Sequence, residues 1–457
     1  MTAEAFTEFA ALRQRHQAEV LRRAPEHIGR LDWSAAQIAA HQRAGLRALL
    51  AVARERSPFH ARRLRGVDPD RFELEHLAGL PVMTKSELMD DFDDVLTDRR
   101  LTRALCERAL AATKDEPRPL FDAYFCLSSG GSSGRRGVFV KDLEAWTEFR
   151  LSLNRSAMRS IARAGGPPLF GGEIAMIASG SAVHSTGVAR AWTAGSGIRF
   201  CSVPVTLQLP EMVERLNAVQ PIALYGYPSV LARLAREQRE GRLRIAPQSI
   251  STTSENLLAE WRTAISQAFG APIVDTYGTT EGLTGVSEPD EACFTFNSDA
   301  CILELVDAAG SPVPPGVVSA RVLVTNLVNR VQPLIRYEIG DRFVRQPDAP
   351  DHGHLRARVE GRADEVLRFG RIEIHPLVIR SVLVKTPEVS DYQVRQTPRG
   401  IEVTAQADAA LEIDPLRRAL VSSLAAAGLR DPEVVVRAVP VLERHEDTGK
   451  LRRFIVA

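Results

Sequence analysis

The chain has 457 residues, which is too many for one simple hydrophobic core and predicts two or three domains. Hydrophobic residues make up 44% and charged residues 25%, ordinary values for a globular protein, and the formal net charge is +1. This balance gives no electrostatic reason to bind nucleic acid or an anionic membrane, so small-molecule chemistry is the default hypothesis.

The cysteines and the first residues of the chain indicate which cellular compartment to expect. The five cysteines are scattered, with no C-x-x-C pair that would suggest zinc and no spacing that implies a disulfide framework. We expect Cys293 and Cys301 to be packing residues rather than a bonded pair. Residues 1–5 form no apolar signal-peptide segment, and no apolar run approaches the roughly 18 residues of a membrane helix. These features predict a protein of the reducing cytoplasm.

The first 110 residues have the periodicity of packed helices. Between Ala35 and Glu55, apolar side chains recur at helical spacing with polar and basic residues between them. Segment 81–88 predicts a turn followed by a helix, with Thr84 or Ser86 as the N-cap. Residues 111–122 are polar, contain two prolines and predict a connection.

From Tyr124 onward, short apolar runs alternate with helical patterns. Strands are predicted over 174–178 and 222–225. Helices are predicted over 211–219, 229–240 and 255–269. Such alternation is typical of parallel sheets covered by helices.

Beyond Ala300 the chain is rich in strand patterns. Strands are predicted over 302–306, 321–325, 401–405 and 433–439. A helix with Leu416, Leu420 and Leu424 on one face is predicted to end at Gly428.

A change of pattern near Arg362 predicts the domain boundary. The predicted N-terminal domain is 1–362, with 1–110 as its helical region, and the predicted C-terminal domain is 363–457. The predicted fold class is α/β, with a large N-terminal domain of helix-covered sheets and a small mobile α+β C-terminal domain.

A serine- and glycine-rich segment, 128–137, has the composition of an anion-binding loop. Its glycines let backbone N–H groups approach an anion, its serines add donors, and Arg135 and Arg136 add positive charge. The segment does not match the G-x-x-x-x-G-K-[ST] pattern of P-loop proteins, and a flexible linker of the same composition stays an alternative. The residues predicted to hold phosphate are Ser128, Ser129, Gly130, Ser132, Ser133 and Gly134.

Two short motifs end in carboxylates suited to a nucleotide. Glu281 ends Tyr277-Gly278-Thr279-Thr280-Glu281, and Mg²⁺ between phosphates takes one or two protein carboxylates. Thr280 can donate to a phosphate oxygen, and Tyr277 offers a flat face for a base. Asp341 ends Tyr337-Glu338-Ile339-Gly340-Asp341, and its carboxylate can accept from both vicinal hydroxyls of a ribose. A capped turn and a solvated turn aspartate are the structural alternatives.

Other residues are weak signals by themselves. His184, in Val183-His184-Ser185-Thr186-Gly187, is equally compatible with a structural histidine. Ser254 and Glu255 fit an ordinary helix N-cap. Asp364 fits an exposed linker, and Lys450 fits a solvated surface lysine. Core packing alone would also favour the segment Tyr225, Gly226, Tyr227 and Pro228.

Taken in their fixed order, five segments resemble those of a known family of enzymes. The segments are 128–137, 277–281, 337–341, 361–365 and 448–450. They resemble the adenylate-forming enzymes (acyl-CoA synthetases, peptide-synthetase adenylation domains and luciferases), and within them the phenylacetate–CoA ligase-like branch. The resemblance runs through almost the whole chain.

This resemblance implies roles around ATP. The glycine-rich loop would grip the pyrophosphate end, although serines stand where the family often has threonines and Arg135 where it often has lysine. The implied nucleotide contacts are Thr280 at the α-phosphate, Glu281 at Mg²⁺, Tyr277 and Gly278 at adenine, Ser254 and Glu255 in the adenine turn, Asp341 at the ribose, and Arg362.

The resemblance also implies roles around the acid and the moving domain. His184 would gate the acyl site, residues 225–228 would line the acid pocket, and Asp364 would be the hinge. Lys450 would be the catalytic lysine that reaches the substrate carboxylate and the α-phosphate. Residues 445–447 depart from the family's usual proline-bearing lead-in to this lysine.

The implied activity is ATP-dependent conversion of an aromatic carboxylic acid to acyl-AMP, followed by transfer to coenzyme A. Its cofactors would be ATP, Mg²⁺ and coenzyme A as cosubstrate. Transfer to an acyl carrier protein or an amine, activation of another oxyanion, and a non-catalytic relative of the same fold stay open as alternatives. A homodimer also stays open, whereas nucleic acid and membranes are not expected partners.

Overall fold

The fold is described from a computed structural model. It describes residues 6–129, 137–163, 172–178, 182–205, 207–362, 366–370, 372–374, 376–383, 386, 388–407, 411–444 and 451–456. Within these residues, no helix combines the length and the apolar character needed to cross a membrane. The five cysteines are free thiols, and Cys301 is buried whereas Cys293 is half-buried.

The N-terminal region is helical, as the apolar periodicity predicts. Its helices are α1 (Phe9–Gly29), α2 (Ala35–Arg56), α3 (Pro58–Arg63), α4 (Lys85–Asp90), α5 (Phe92–Val95) and α6 (Arg103–Ala112). Thr84 is the N-cap of α4, where its side chain accepts from the Glu87 N–H and the Glu87 carboxylate accepts from the Thr84 N–H. Ser34 and Gln37 form the same capping box at the start of α2, so both helix starts are set by local sequence.

The middle of the chain contains most of the strands. They are β1 (Tyr124–Ser128), β2 (Val138–Asp142), β3 (Glu173–Ile177), β4 (Arg199–Ser202), β5 (Ala223–Gly226), β6 (Ser249–Thr253), β7 (Ile273–Gly278), β8 (Thr284–Ser287), β9 (Phe294–Phe296), β10 (Cys301–Val306), β11 (Arg321–Asn326), β12 (Tyr337–Ile339), β13 (Asp341–Arg345) and β14 (Arg356–Arg362). The helices between them are α7 (Leu143–Arg163), α8 (Ala189–Thr193), α9 (Leu209–Val219), α10 (Pro228–Arg239) and α11 (Ala259–Phe269).

A nine-stranded sheet forms the centre of this region. Its order is β13-β14-β9-β8-β7-β6-β5-β3-β4. The run from β4 to β7 is parallel, as predicted, and the strands from β8 onward continue the sheet antiparallel. Ligands bind at the carboxyl ends of parallel strands in such sheets, so the ends of β5, β6 and β7 are where a site is expected.

One predicted helix start is wrong. The pattern predicts a helix from residue 255, but α11 begins at Ala259 with Leu258 as its N-cap. Ser254 adopts a left-handed φ of +69°, which a helix N-cap does not use, and this turns the chain away from helical geometry. The N-cap alternative for Ser254 is therefore excluded.

The residues after 362 have their own core. Their elements are β15 (Leu367–Phe369), β16 (Ile372–Ile374), α12 (Pro376–Leu383), β17 (Val389–Thr397), β18 (Gly400–Ala407), α13 (Ile413–Ala426), β19 (Glu433–Val439) and β20 (Phe454–Ile455). Strands β19-β18-β17-β20 form one sheet, against which Leu416, Leu420 and Leu424 of α13 are buried. The sheet-and-helix layout matches the predicted α+β class, and the boundary at 362 stays a prediction.

This C-terminal unit touches the N-terminal region at α11. The Arg453 guanidinium lies 4.6 Å from the centre of the Trp261 ring, and Arg380 donates to the Glu260 carboxylate at 3.5 Å. The Arg453 side chain is only 14% exposed, and a desolvated cation over an indole contributes about 2 kcal/mol.

Helix α7 is held by a buried ion network. Arg155 donates two hydrogen bonds to the Asp299 carboxylate, at 2.6 and 2.9 Å, and Arg30 donates to Glu148 at 2.9 Å. Glu148 also accepts from Arg23 of α1. Burial would raise the pKa of Asp299, but attraction to Arg155 outweighs it and holds that pKa below its usual range. The network ties α1 and α7 to the segment before β10.

This network includes three side chains with metal-ligand chemistry. Ligand atoms of His27, Glu148 and Asp299 lie within 4.8 Å of one another. The arginines described above already neutralise both carboxylates, and they would repel a cation placed between them. We interpret the cluster as structural.

Candidate functional site

A tight turn between β7 and β8 carries the segment predicted to bind a nucleotide. The Thr279 N–H donates to the Leu283 carbonyl at 2.9 Å, and the Gly282 N–H donates to the Thr279 carbonyl at 3.0 Å. Gly282 has a φ of +111°, and a Cβ there would lie 2.2 Å from the Asn326 amide nitrogen. Only glycine fits this position, and the turn thereby fixes the half-buried Glu281.

Glu281 lies among positive charges. Burial raises the pKa of its carboxyl group, and attraction to Lys85 and Lys141 partly opposes that rise. Asn326 donates to the Glu281 backbone carbonyl at 2.7 Å. One carboxylate at a turn fits Mg²⁺, which takes one or two protein carboxylates and completes its shell with phosphate oxygens and water.

Lys141 is a functional candidate that the sequence analysis missed. It lies on β2 and is 2% exposed, and burial lowers its pKa to about 8. Its ammonium group would lie 3.4 Å from a Cβ placed on Gly282, the residue that follows Glu281. A single lysine in a short strand forms no motif with its neighbours, so the sequence gives no signal that Lys141 is a functional residue.

Tyr277 and Asp341 meet, although 63 residues separate them in the sequence. The Tyr277 hydroxyl donates to the Asp341 carboxylate at 2.8 Å. The Tyr277 ring packs edge-on against Phe296 and Phe343, at 5.6 and 5.4 Å between ring centres, which leaves its orientation fixed. Arg362 lies opposite Asp341 in the β13–β14 pairing. The structure thus brings together the residues predicted for adenine, ribose and the nucleotide.

The serine- and glycine-rich loop is described only at its two ends. Gly130, Ser132, Ser133 and Gly134 lie outside the described residues. At its base the Ser129 N–H donates to the Gly137 carbonyl at 3.0 Å, and the Gly137 N–H donates to the Ser129 hydroxyl at 3.0 Å. Lys85 donates to that hydroxyl at 3.3 Å, so it lies between the loop and Glu281. The sequence analysis placed Lys85 in a helix start but gave it no role.

His184 connects the loop to the sheet. Its Nδ1 donates to the Ser128 carbonyl at 2.9 Å, which fixes the tautomer, and the Ser128 N–H donates to the Val183 carbonyl at 2.8 Å. Two residues on, the Thr186 hydroxyl lies 3.2 Å from the Ser254 hydroxyl at the end of β6. The segment therefore spans from the start of the loop to the adenine turn predicted at Ser254 and Glu255.

Glu255 faces the start of α10. Its carboxylate accepts from the Ser229 N–H at 3.3 Å, in the first turn of that helix, where a negative charge is stabilised. This contact does not test the predicted nucleotide role. Of the predicted pocket residues, Tyr225 is half-buried, whereas Tyr227 is 1% exposed in the core and Pro228 is buried. A Cβ on Gly226 would lie 2.6 Å from the Ile177 carbonyl, so close strand packing requires that glycine.

The predicted hinge and catalytic lysine, Asp364 and Lys450, lie outside the described residues. The chain just after Lys450 is anchored, because Leu451 is buried and the Val394 N–H donates to the Arg453 carbonyl at 2.7 Å. Thr280 and Gly278 lie on the turn beside Glu281, half-buried and exposed respectively.

Comparison with known proteins shows what the chain is similar to. No family model matches the chain. It is similar to a phenylacetate–coenzyme A ligase of Thermus thermophilus, with 26% identity over 386 residues that cover 78% of each chain. A crystal structure of 2-hydroxyisobutyryl-CoA ligase in its postadenylation state matches with a TM-score of 0.67 and 19% identity, covering 93% of this chain and 90% of that one. These matches support the resemblance to the phenylacetate–CoA ligase-like branch of the adenylate-forming superfamily.

A second state of the same solved enzyme matches this chain less well. In complex with 2-hydroxyisobutyryl-AMP and CoA, in its thioesterification state, that enzyme matches with a TM-score of 0.55 and 20% identity, covering 93% and 91% of the two chains. Both likenesses establish the shared fold.

Proposed function

We propose that this protein activates a carboxylic acid with ATP and transfers the acyl group to coenzyme A. In the first step a carboxylate oxygen of the acid attacks the α-phosphorus, and pyrophosphate leaves. In the second step the thiol sulfur of coenzyme A attacks the acyl carbon, and AMP leaves. The products are an acyl-CoA thioester, AMP and pyrophosphate.

One observation carries the proposal. The Tyr277 hydroxyl bonds the Asp341 carboxylate at 2.8 Å, and Glu281 lies four residues after Tyr277, on the turn that follows β7. A base-stacking face, a ribose acceptor and a metal carboxylate therefore lie close together, beside the base of a glycine-rich loop. This grouping has the chemistry required to seat a magnesium–nucleotide complex.

The protein's own groups would act by positioning and charge. Glu281 is the residue that would hold Mg²⁺, which when bound neutralises phosphate charge and orients the leaving pyrophosphate. Lys85 and Lys141 add positive charge on the same side of the turn. Groups fixed before the reaction stabilise developing charge without reorganisation, which is the main source of catalysis in such transfers.

We propose that the acid is aromatic. Support comes from the relatives, which include phenylacetate–coenzyme A ligases from Thermus thermophilus and from Pseudomonas putida, the latter 24% identical over 376 residues. Half-buried Tyr225 at the end of β5 offers a ring face beside the predicted pocket.

A screen tests the activity. ATP-dependent pyrophosphate release would be measured over phenylacetate, benzoate, hydroxybenzoates and aminobenzoates, and mass spectrometry would identify the product with coenzyme A, a carrier protein or an amine. We expect an acyl-CoA product with at least one acid. Acyl-AMP formation without any acyl-CoA would reject the acceptor, and absence of pyrophosphate release across the panel would reject adenylation.

We further propose that the C-terminal unit rotates between the two steps and carries Lys450 with it. Lys450→Ala should slow adenylation by about 100- to 1,000-fold, because a positioned charge on the α-phosphate is lost. Thioesterification of supplied acyl-AMP should change far less. Arg452→Ala, at a neighbouring exposed position, is the control. Equal losses in both half-reactions would refute the rotation.

A further inference from the structure

A guanidinium group to which the described residues offer no carboxylate partner lies beside the predicted acid pocket. Arg150 is on α7, and it is half-buried. Among the described residues, no carboxylate lies within ion-pair distance of it. Arg155, five residues later on the same helix, has two hydrogen bonds to Asp299. Among the described residues, Arg155 therefore has a carboxylate partner and Arg150 does not.

The surroundings of Arg150 do not neutralise it. Its guanidinium lies 5.9 Å from the centre of the Trp146 ring, and Tyr225 is the group that interacts with its charge. Burial lowers the pKa of Arg150, which reflects the cost of holding this cation without a counter-ion. Nearby His16 is neutral at physiological pH, because burial and the Arg150 charge lower its pKa to about 3. An arginine cannot escape this cost by losing its proton.

Arg150 lies between the predicted acid pocket and the turn that joins β7 and β8. Phe149, the preceding residue, reaches to 3.7 Å from a Cβ placed on Gly278. Tyr225 lies in the last half of β5, level with Ser251 of β6 in the parallel pairing. Arg150 therefore lies where the carboxyl ends of the parallel strands meet the turn that carries Glu281, and this is where ligands bind in open α/β sheets.

We propose that Arg150 binds a second carboxylate of the substrate, so that the acid is a dicarboxylic acid activated at the carboxyl group remote from Arg150. This inference rests on the proposed acid–CoA ligase activity. A guanidinium matches a carboxylate through two parallel hydrogen bonds, and such charge-assisted bonds are the strong ones in partly buried sites. The missing partner of Arg150 is then supplied by the substrate.

Matched acid pairs test the proposal. Pyrophosphate release would be measured with phenylacetate against 4-carboxyphenylacetate and 3-carboxyphenylacetate, and with benzoate against terephthalate and isophthalate. We expect kcat/KM to be at least tenfold higher for one diacid than for its monoacid partner. In Arg150→Met the diacid-to-monoacid ratio should fall by about 10- to 100-fold, as expected for loss of a charge-assisted pair.

Two further variants make the result specific. Arg150→Lys keeps the charge without the planar guanidinium, so it should keep part of the preference for the diacid. It replaces Arg150→Met as the test variant if that protein does not fold. Arg163→Met, at the exposed end of the same helix, should leave the ratio unchanged.

The outcomes separate this inference from the proposed function. Turnover of monoacids in preference to every diacid, or a ratio that changes less than twofold in folded Arg150→Met, overturns the inference and leaves the ligase activity standing. No pyrophosphate release with any acid rejects both.

Discussion

Glu281→Gln is expected to lower kcat/KM for ATP-dependent pyrophosphate release by about 100- to 1,000-fold, the usual cost of removing one preorganised electrostatic group. The amide is the same size as the carboxylate but carries no charge for Mg²⁺, and it removes the negative charge that attracts Lys85 and Lys141. Titration of Mg²⁺ at fixed ATP should show a much higher concentration for half-maximal rate than in the natural protein.

The fold of this variant should be intact. The turn is held by backbone hydrogen bonds and by Asn326, which bonds the Glu281 carbonyl rather than its side chain. Glu288→Gln, at an exposed position just after β8, is the matched control and should retain full activity. A Glu281→Gln protein with unchanged Mg²⁺ dependence would contradict the assignment of Glu281 as the metal carboxylate.

Asp299→Asn is expected to lower the free energy of unfolding by about 3–5 kcal/mol, the cost of leaving a buried charge without its partner. Arg155 is 3% exposed and has Asp299 as its carboxylate partner at 2.6 Å, so it cannot turn to water when the charge is removed. Urea denaturation followed by near-ultraviolet circular dichroism of the N-terminal aromatic core measures the loss.

The difference in free energy of unfolding between the natural protein and Asp299→Asn should depend on pH with a definite sign. The pKa of Asp299 is depressed in the folded state, so its stabilisation is complete above the unfolded value of about 4 and is lost as the pH falls through the folded value. The gap between natural protein and variant should be widest near neutrality and should shrink below about pH 4.

A surface ion pair made by another arginine of α7 is the control. Arg159 of α7 bonds Asp32 at 2.8 Å, with Asp32 69% exposed, and exposed pairs contribute only about 0–1 kcal/mol. Asp32→Asn should therefore be nearly neutral. Equal losses in the two variants would mean that the buried network has no special importance for stability.

Much of the fold follows from local sequence. Apolar periodicity predicts α2 and α13, residues 433–439 form β19 as predicted, and the capping pair Thr84 and Glu87 sets the start of α4. These features depend on neighbours within a few residues. The start of α11 was wrong because the left-handed turn at Ser254 is set by contacts with a distant segment, through Thr186, rather than by its neighbours.

The candidate site is predictable only in part for the same reason. Motifs mark Tyr277, Glu281 and Asp341, and the structure brings Tyr277 and Asp341 into contact. Lys141 lies 140 residues before Glu281, and nothing in its strand distinguishes a buried lysine from an exposed one. Its place beside Gly282 exists only after β2 and the turn have packed together.

The stacking of Arg453 on Trp261 gives the molecule an intrinsic optical reporter. Of the three other indoles, Trp146 and Trp192 are fully buried in the N-terminal core and Trp33 packs on His41 of α2, so their emission would stay constant during the proposed rotation of the small unit. Trp261 would exchange a cation for water in that movement, and its emission would shift. Stopped-flow fluorescence could then test the proposed rotation between the two half-reactions in unlabelled protein.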